Sequence, residues 1–225
     1  ELKRLSIDGI NVSLDTLKPE RFSGIAGLCT DGRETWKQVF EAVKEGAALG
    51  IPMKINCVPI RGLNEDEILD FVALTRELPV DVRFIELMPI GQGKEKHTLK
   101  EAEVKHILSE TYGTIRPCEE KLGSGPAHYR KIDGFEGKIG FISAISHKFC
   151  SGCNRVRMTA DGFLKPCLQY ETGMDLRTLL RDGVSEAELK VQIETIITQK
   201  PKCHHFGEIN EPERTEHRGM SEIGG

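Results

Sequence analysis

The segment PMKINCVPI, from Pro52 to Ile60, decides the first half of the fold. Its apolar and β-branched residues predict a strand buried in a sheet. Apolar residues at helical spacing precede it from Arg33 to Leu49, and Gly50 follows as a predicted helix end. A second helix is predicted after Asn64, with Glu67 three residues later as in a capping box.

Two further strands are predicted on either side of this segment. The first runs from Ile10 to Leu14 and the other from Val82 to Leu87. The resulting order of strand, helix, strand, helix and strand is typical of a parallel sheet whose strands are joined by helices. The first half of the chain is therefore predicted to be an α/β structure.

The second half of the sequence has a different pattern. Polar and apolar residues alternate from Ala127 to Ile145, which predicts antiparallel strands. A helix is predicted from Ser185 to Lys200, starting with a capping box. The polar tail after Pro201 matches neither pattern, so no regular structure is predicted for it. We predict two domains, residues 1–93 and residues 94–225.

The composition excludes several classes of protein. The chain has 225 residues, 38% of them hydrophobic and 29% charged, with a net charge of −4. This charge argues against binding nucleic acid through bulk electrostatics. No apolar run approaches the roughly 20 residues that span a bilayer, and no signal peptide is visible. Seven cysteines, an odd number, argue against a secreted disulfide framework. We therefore expect a cytoplasmic protein with no membrane or nucleic-acid partner.

The stretch HKFCSGCNRVRMTADGFLKPC, residues 147–167, contains three closely spaced cysteines. Cys150 and Cys153 are separated by two residues, so both sulfurs can point at one centre. Cys167 can return to that centre if the intervening residues form a hairpin, and Asp161-Gly162 is a strong turn signal. The stretch therefore predicts a pocket of three thiolates.

Three interpretations of this pocket are open. It can hold an iron–sulfur cluster with one iron left unligated by protein, or a structural zinc whose fourth ligand is His147 or a distant cysteine. It can also be a set of free thiols. Arg155 and Arg157 favour the cluster, because on a strand both would face one side and could bind an anionic ligand. Cys203-His204-His205 is another possible metal-binding trio, whereas the cysteines predicted to be unligated are Cys29, Cys57 and Cys118.

The cysteine stretch resembles the C-terminal cluster motif of the molybdenum cofactor biosynthesis protein A family, the radical S-adenosylmethionine (SAM) GTP 3′,8-cyclases. That family also carries an N-terminal CxxxCxxC loop, which this sequence does not contain. We interpret the chain as the C-terminal two-thirds of such an enzyme and expect it to be inactive alone. The other segments similar to the family are NVSLDTL at 11–17, MKINCVPIRGLN at 53–64, RFIELMPIG at 83–91 and Ile223-Gly224-Gly225.

The resemblance implies a fold and a reaction. The fold is α/β: the later strands of a partial (β/α)6 radical-SAM barrel, followed by a C-terminal α+β iron–sulfur domain. The reaction, that of a lyase, converts GTP to (8S)-3′,8-cyclo-7,8-dihydroguanosine 5′-triphosphate. The implied cofactors are a 4Fe–4S cluster on three cysteines and, in the complete enzyme, SAM with a second 4Fe–4S cluster. The implied partners are GTP and an electron donor for the clusters, and a homodimer is the assembly that we consider.

The resemblance also implies roles for individual residues. Ser13 and Met88 would contact SAM, and Gly224 and Gly225 would act in catalysis, where their lack of side chains lets the backbone enter a narrow pocket. The residues implied in GTP binding are Lys54, Arg83, Arg155, Val156 and Arg157, and those implied in holding the cluster are Cys150, Cys153 and Cys167.

Alternatives to these roles are also open. Lys54 can occupy an edge of the sheet or extend its ammonium group to solvent. Ser13 and Met88 can be core residues, because a lone Ser or Met is more often a core residue than a ligand. The Gly-Gly end can be a frayed terminus. Two other functions remain for the whole chain, a different radical-SAM enzyme with a three-cysteine auxiliary cluster and a non-catalytic zinc-binding module. The cationic set of Lys54, Arg155 and Arg157, with the Gly-Gly end, argues against the first of these.

Overall fold

The computed structural model describes residues 2–120, 123, 125–206, 208 and 215–223. The chain divides into two compact units, and each is considered by itself. The first unit comprises Glu1–Leu87 and His97–Ser146, and the second comprises Met88–Lys96 and His147–Gly225. The predicted functional domains, residues 1–93 and 94–225, are a different kind of division and stay a prediction. Within the described residues, no helix has the length and apolar character needed to cross a membrane.

The first unit contains a six-stranded mixed sheet in the order β1-β2-β3-β6-β5-β4. The first four strands in this order are parallel, and the last two are added in antiparallel pairs. The predicted parallel sheet and the later antiparallel strands are therefore confirmed. The strands are β1 Ile10–Ser13, β2 Met53–Cys57, β3 Val80–Ile85, β4 Arg116–Cys118, β5 His128–Lys131 and β6 Ile139–Ile142; the helices are α1 Pro19–Ala26, α2 Arg33–Ala48, α3 Ile68–Glu77 and α4 Glu101–Tyr112.

The two faces of β2 have different environments. Met53, Ile55 and Cys57 are buried in the hydrophobic core, whereas Lys54 and Asn56 alternate with them and stay partly accessible. Side chains alternate between the two faces of a strand, so every second residue shares a face. One face of the sheet therefore packs on the core and the other carries polar groups.

The helix α2 agrees with its prediction from the sequence. It spans Arg33–Ala48, and Gly50 follows with a φ of 72°. This left-handed conformation is favourable for glycine after a helix because glycine has no Cβ. The position of the turn into β2 is therefore set by a local signal.

The predicted capping box of Asn64 and Glu67 is wrong. The Asn64 amide donates to the Asp15 carbonyl at 2.7 Å, and the buried Glu67 carboxylate accepts the Thr16 hydroxyl at 2.8 Å. A 3₁₀ turn occupies this position, and α3 starts only at Ile68. Contacts with the segment after β1 have replaced the local cap.

The second unit contains a three-stranded antiparallel sheet in the order β7-β8-β9. The predicted capping box at the start of its long helix is confirmed, because the Ser185 hydroxyl accepts the Glu188 N–H at 3.3 Å and the Ser185 N–H donates to the Glu188 carboxylate at 3.2 Å. The elements are β7 Arg157–Met158, β8 Phe163–Lys165, β9 Met174–Asp175, α5 Leu176–Arg181 and α6 Glu186–Thr198.

The described part of the tail is packed within the second unit, and most of it has no regular structure, as predicted. Met220–Glu222 form a 3₁₀ turn, and Ile223 is fully buried. Glu216 forms an ion pair with Lys165 of β8, and both side chains are fully buried. The Glu216 N–H also donates to the Gln169 carbonyl at 2.5 Å. A polar sequence gives no periodic signal, so these individual contacts are not visible in the pattern.

Candidate functional site

A row of polar side chains crosses the accessible face of the parallel sheet in the first unit. Register partners on parallel strands project to the same face. Lys54 of β2 lies between Asn11 and Asp81, and Asn56 lies between Ser13 and Arg83. The sheet therefore brings three of the predicted site residues, Ser13, Lys54 and Arg83, onto one face.

Two asparagines hold the Arg83 guanidinium on this face. Its Nε donates to the Asn56 Oδ1 at 2.7 Å, and its Nη2 donates to the Asn11 Oδ1 at 2.7 Å. The two acceptors belong to the two strands preceding β3 in the sheet order. The sequence analysis did not select these two asparagines. Each alternates with apolar residues along its strand, which could have indicated that both lie on the polar face of the sheet.

A glycine makes room for Arg83 on the neighbouring strand. Gly140 of β6 is the register partner of Arg83. A Cβ at residue 140 would lie 2.8 Å from the Arg83 Cγ and 2.9 Å from the Tyr129 Cε1. Both distances are too short for unbonded carbon atoms, so only glycine lets Arg83 and Tyr129 occupy their observed places.

Asp81 gives the same face a negative group beside the cations. Burial raises the pKa of the Asp81 carboxyl, and the N–H of Lys138, at 3.0 Å, and the charges of Lys54 and Arg83 oppose this effect. Lys54 thus has both a polar and an acidic neighbour in the sheet. Lys54, Asp81 and Arg83 therefore give the face groups of both charges.

The two residues implied in SAM binding belong to different units. Ser13 ends β1 and is exposed. Met88 is partly buried and belongs to the second unit, three residues after the end of β3. Their roles stay predictions.

The second unit carries the cysteine stretch on a turn and a hairpin. Cys150–Gly152 form a 3₁₀ turn, and the Cys153 N–H donates to the Cys150 carbonyl at 3.1 Å. The predicted hairpin is confirmed, because β7 pairs with β8 and Gly162 in the connecting turn has a φ of 85°. Cys167 follows β8 by two residues. The three cysteines are all partly buried.

The three thiols share an environment, but they are not arranged as a finished metal site. Among the described residues, no three His, Cys, Asp or Glu side chains form a group that could hold a metal ion. Cys153 and Cys167 lie within electrostatic range of Arg157, and Cys150 and Cys167 lie within range of Tyr170. Three partly buried thiols are a donor set that suits an iron–sulfur cluster. Ligation by these cysteines stays a prediction.

The two arginines of the stretch lie in different local structures. Arg157 is in β7 and partly buried, whereas Arg155 is exposed and precedes the strand. The prediction that one strand carries both is wrong, because β7 has only two residues. Burial lowers the pKa of Arg157, and the charge of Arg155 lowers it further. Two guanidiniums therefore concentrate positive charge here, next to the exposed Val156.

Cys153 is the thiol that its surroundings favour as a thiolate. Burial raises its pKa, but the N–H of Arg155 and the ammonium group of Lys200 outweigh burial, so the pKa lies below its ordinary value. A thiolate is the form that binds metals. Lys200 was missed in the sequence, where one lysine near the end of a helix gives no distinct signal.

Two other predicted groups lie near the end of the chain. Cys203-His204-His205 do not converge on one point: the Cys203 Sγ lies 3.6 Å from the His205 Nε2, whereas the His204 ring packs on Phe206. The Nδ1 of His205 contacts the Glu208 carboxylate at 2.8 Å. Gly224 and Gly225 lie outside the described residues, so their catalytic role stays a prediction.

Comparison with known families covers most of the chain. A model for Molybdenum Cofactor Synthesis C matches residues 80–206, and a model for the Radical SAM superfamily matches residues 1–75. The two matched segments together include both the sheet face and the cysteine stretch.

Curated relatives agree with these matches. The GTP 3′,8-cyclase of Clostridium perfringens (strain 13 / Type A) is 40% identical over 228 residues, which cover all of this chain and 68% of the relative. The GTP 3′,8-cyclase of Syntrophomonas wolfei is 41% identical over 233 residues with the same coverage. The resemblance inferred from the sequence motifs is confirmed. The chain belongs to the GTP 3′,8-cyclase family of radical-SAM lyases, and it is a homologue of the enzyme that acts in molybdenum cofactor synthesis.

Proposed function

We propose that this chain provides the GTP-binding and auxiliary-cluster parts of a GTP 3′,8-cyclase, which forms (8S)-3′,8-cyclo-7,8-dihydroguanosine 5′-triphosphate. The observation that carries the proposal is the position of Arg157, which lies within electrostatic range of two of the three thiols. A cation beside metal-binding groups suits an anionic substrate held next to a metal centre. The parallel strands β1, β2 and β3 support the further proposal that residues 1–93 are the later part of a (β/α)6 barrel, with residues 94–225 as the cluster domain.

The cluster is assigned to the second unit. Cys150, Cys153 and Cys167 would hold a 4Fe–4S cluster, whose fourth iron would bind the purine as a Lewis acid when the cluster is present. The protein's part is to place three thiolates on a turn and on the end of a hairpin. The raised acidity of Cys153 supports its assignment, because metal binding requires the deprotonated thiol.

The phosphates of GTP are assigned to cationic residues in each unit. In the second unit, Arg155 and Arg157 would donate to phosphate oxygens, with Val156 against the nucleotide. In the first unit, Lys54 and Arg83 would contact GTP from the polar face of the sheet. Arginine suits this role because its planar guanidinium can donate two parallel hydrogen bonds to phosphate.

SAM is assigned to Ser13 and Met88, and when bound with its own cluster it supplies the radical for the reaction. The residues of this chain would orient GTP, and Gly224-Gly225 would complete the active site. We further propose a cytoplasmic location and an external electron donor, which fit a protein with reduced thiols.

Anaerobic reconstitution tests the cluster assignment. The chain should bind about four irons with sulfide, as expected for one 4Fe–4S cluster. Cys167→Ala should lose most of this iron. Cys118→Ala is a matched control, because Cys118 is also a partly buried free cysteine but lies in β4 of the first unit. Stoichiometric zinc without sulfide would contradict the assignment.

Ligand binding tests the assignment of the arginines. Arg155→Lys and Arg157→Lys keep the charge but lose the planar fork, so each should weaken GTP binding about tenfold and leave guanosine binding unchanged. Arg181→Lys is the control, because Arg181 is an exposed arginine of the same unit. Equal losses for GTP and guanosine would indicate a folding defect rather than phosphate recognition.

A further inference from the structure

Lys200 makes three contacts with the turn that carries Cys153. Its Nζ donates to the Cys153 carbonyl at 2.9 Å, to the Arg155 carbonyl at 2.6 Å and to the Cys153 Sγ at 3.3 Å. A lysine ammonium group has three N–H bonds. These contacts therefore account for all of its donors, and all of them reach one short segment.

The charge of Lys200 has a distinct set of described neighbours. Among the residues that the structure describes, no carboxylate forms an ion pair with it. Lys148 in the same unit differs, because its ammonium group pairs with Glu208 at 2.5 Å. The positive charge of Lys200 therefore acts on the thiol and on the two carbonyl groups.

The segment that Lys200 contacts has little support from regular structure. The 3₁₀ turn ends at Gly152, and β7 starts only at Arg157. Residues 153–156 therefore lie between two elements without a backbone ladder of their own. By bonding the carbonyls of Cys153 and Arg155, Lys200 fixes both the proposed cluster ligand and the proposed phosphate ligand.

We propose that Lys200 is a positioning residue for the cluster loop and that it raises the reduction potential of the cluster that Cys153 holds. This inference rests on the proposed cluster assignment. A hydrogen bond to a cluster sulfur, and a positive charge near it, stabilise the reduced cluster, which carries one more negative charge than the oxidised cluster. Reduction adds one electron from dithionite to the cluster.

The test compares Lys200→Met with Lys202→Met in the anaerobically reconstituted chain. Lys202 is an exposed lysine two residues away, so its substitution matches the change in charge and hydrophobicity. The two measurements are iron content and the midpoint potential from a dithionite titration followed by electron paramagnetic resonance. Lys200→Met should shift the midpoint potential to a more negative value. Lys200→Arg should have a midpoint potential close to that of the wild type, and Lys202→Met should leave the wild-type potential unchanged.

The outcomes separate this inference from the proposed function. An iron-replete Lys200→Met chain with the wild-type potential would overturn the role of Lys200 and leave the cluster assignment intact, whereas a wild-type chain that binds no cluster would overturn both. If Lys200→Met folds normally but loses its iron, Lys200→Gln decides, because glutamine keeps donors without the charge. A more negative potential in Lys200→Gln would support the inference, and an unchanged potential would contradict it.

Discussion

The two units hold their candidate site residues in different ways. In the first unit, Arg83 is on a strand of a parallel sheet, and its guanidinium is bound by Asn11 and Asn56 on neighbouring strands. In the second unit, Arg155 lies outside any strand, and its carbonyl is bound by Lys200. Backbone pairing supports the first site, whereas individual side chains support the second. Single substitutions should therefore disturb the second unit more than the first.

The largest effect is expected at the buried ion pair of the second unit. Glu216→Leu leaves the buried Lys165 ammonium group without its carboxylate, which should cost about 3–5 kcal/mol. Lys165→Met should cost less, because the Arg218 guanidinium still pairs with the Glu216 carboxylate at 2.9 Å. The double substitution removes both charges and should recover most of this loss. The measurement is hydrogen exchange of the β8 amides, with the exposed Lys202→Met as the control. A double variant that is as unstable as the sum of the single variants would contradict this view.

A smaller, pH-dependent effect is expected at Glu101 in the first unit. Burial raises its pKa, but contacts with Lys105, Ser143 and His128 together lower it to about 2. A carboxyl group with a depressed pKa in the folded state stabilises the protein above its unfolded pKa, near 4.5. This contribution, about 2–3 kcal/mol, should be lost as the pH falls from about 4.5 towards 2.

The single tryptophan, Trp36 in α2, allows the first unit to be followed by fluorescence during urea unfolding. Glu101→Gln should reduce the dependence of the free energy of unfolding on pH in this range, and the remainder comes from other carboxyl groups with lowered pKa values, such as Asp66 and Glu120. The exposed Glu34→Gln should keep it. The same pH dependence in Glu101→Gln as in the wild type would show that another group is responsible.

The next effect is expected on ligand binding at the sheet face. Asn56→Ala removes one of the two acceptors that orient Arg83, so GTP affinity should fall about tenfold, or about 1.4 kcal/mol. Guanosine affinity should stay the same. In an Arg83→Ala background, Asn56→Ala should have little further effect, because its partner is already gone. Additive losses measured by calorimetry would show that Asn56 acts independently of Arg83.

The smallest effect is expected at the start of α6. Ser185→Ala removes a confirmed N-cap and should cost about 1 kcal/mol. Faster hydrogen exchange in the first turn of α6 would show this loss. Thr195→Ala, an exposed position within the same helix, is the control and should not speed that exchange. Equal exchange in both variants would mean that packing, rather than the cap, determines the stability of this helix.

Local patterns predicted much of the fold. The helix before Gly50, the strand β2 and the capping box at Ser185 depend on residues close together in sequence, and all three are observed. The Asn64–Glu67 capping box failed because Glu67 instead bonds Thr16, which lies 51 residues earlier. A pattern within a few residues cannot show a competing partner so far away.

The candidate site was predictable to a similar degree. Motif resemblance selected Lys54 and Arg83, and the sheet places both on one face. It did not select Asn11 or Asn56, because a positioning residue is recognised by its geometry with another side chain. The position of Arg155 was also mistaken, because two residues of strand are too few to set a detectable period.

The burial of Cys57 has a consequence for how the protein would acquire iron. Its thiol lies in the core of the first unit, where burial, with the charges of Asp15 and Glu67, raises its pKa well above the ordinary value. Iron is captured by thiolates, so a protonated and inaccessible thiol does not compete for it. Cys57 would therefore not bind iron during cluster assembly or during repair of the cluster after exposure to air. The core strand that contains it could then fold before iron arrives without trapping the metal at the wrong place.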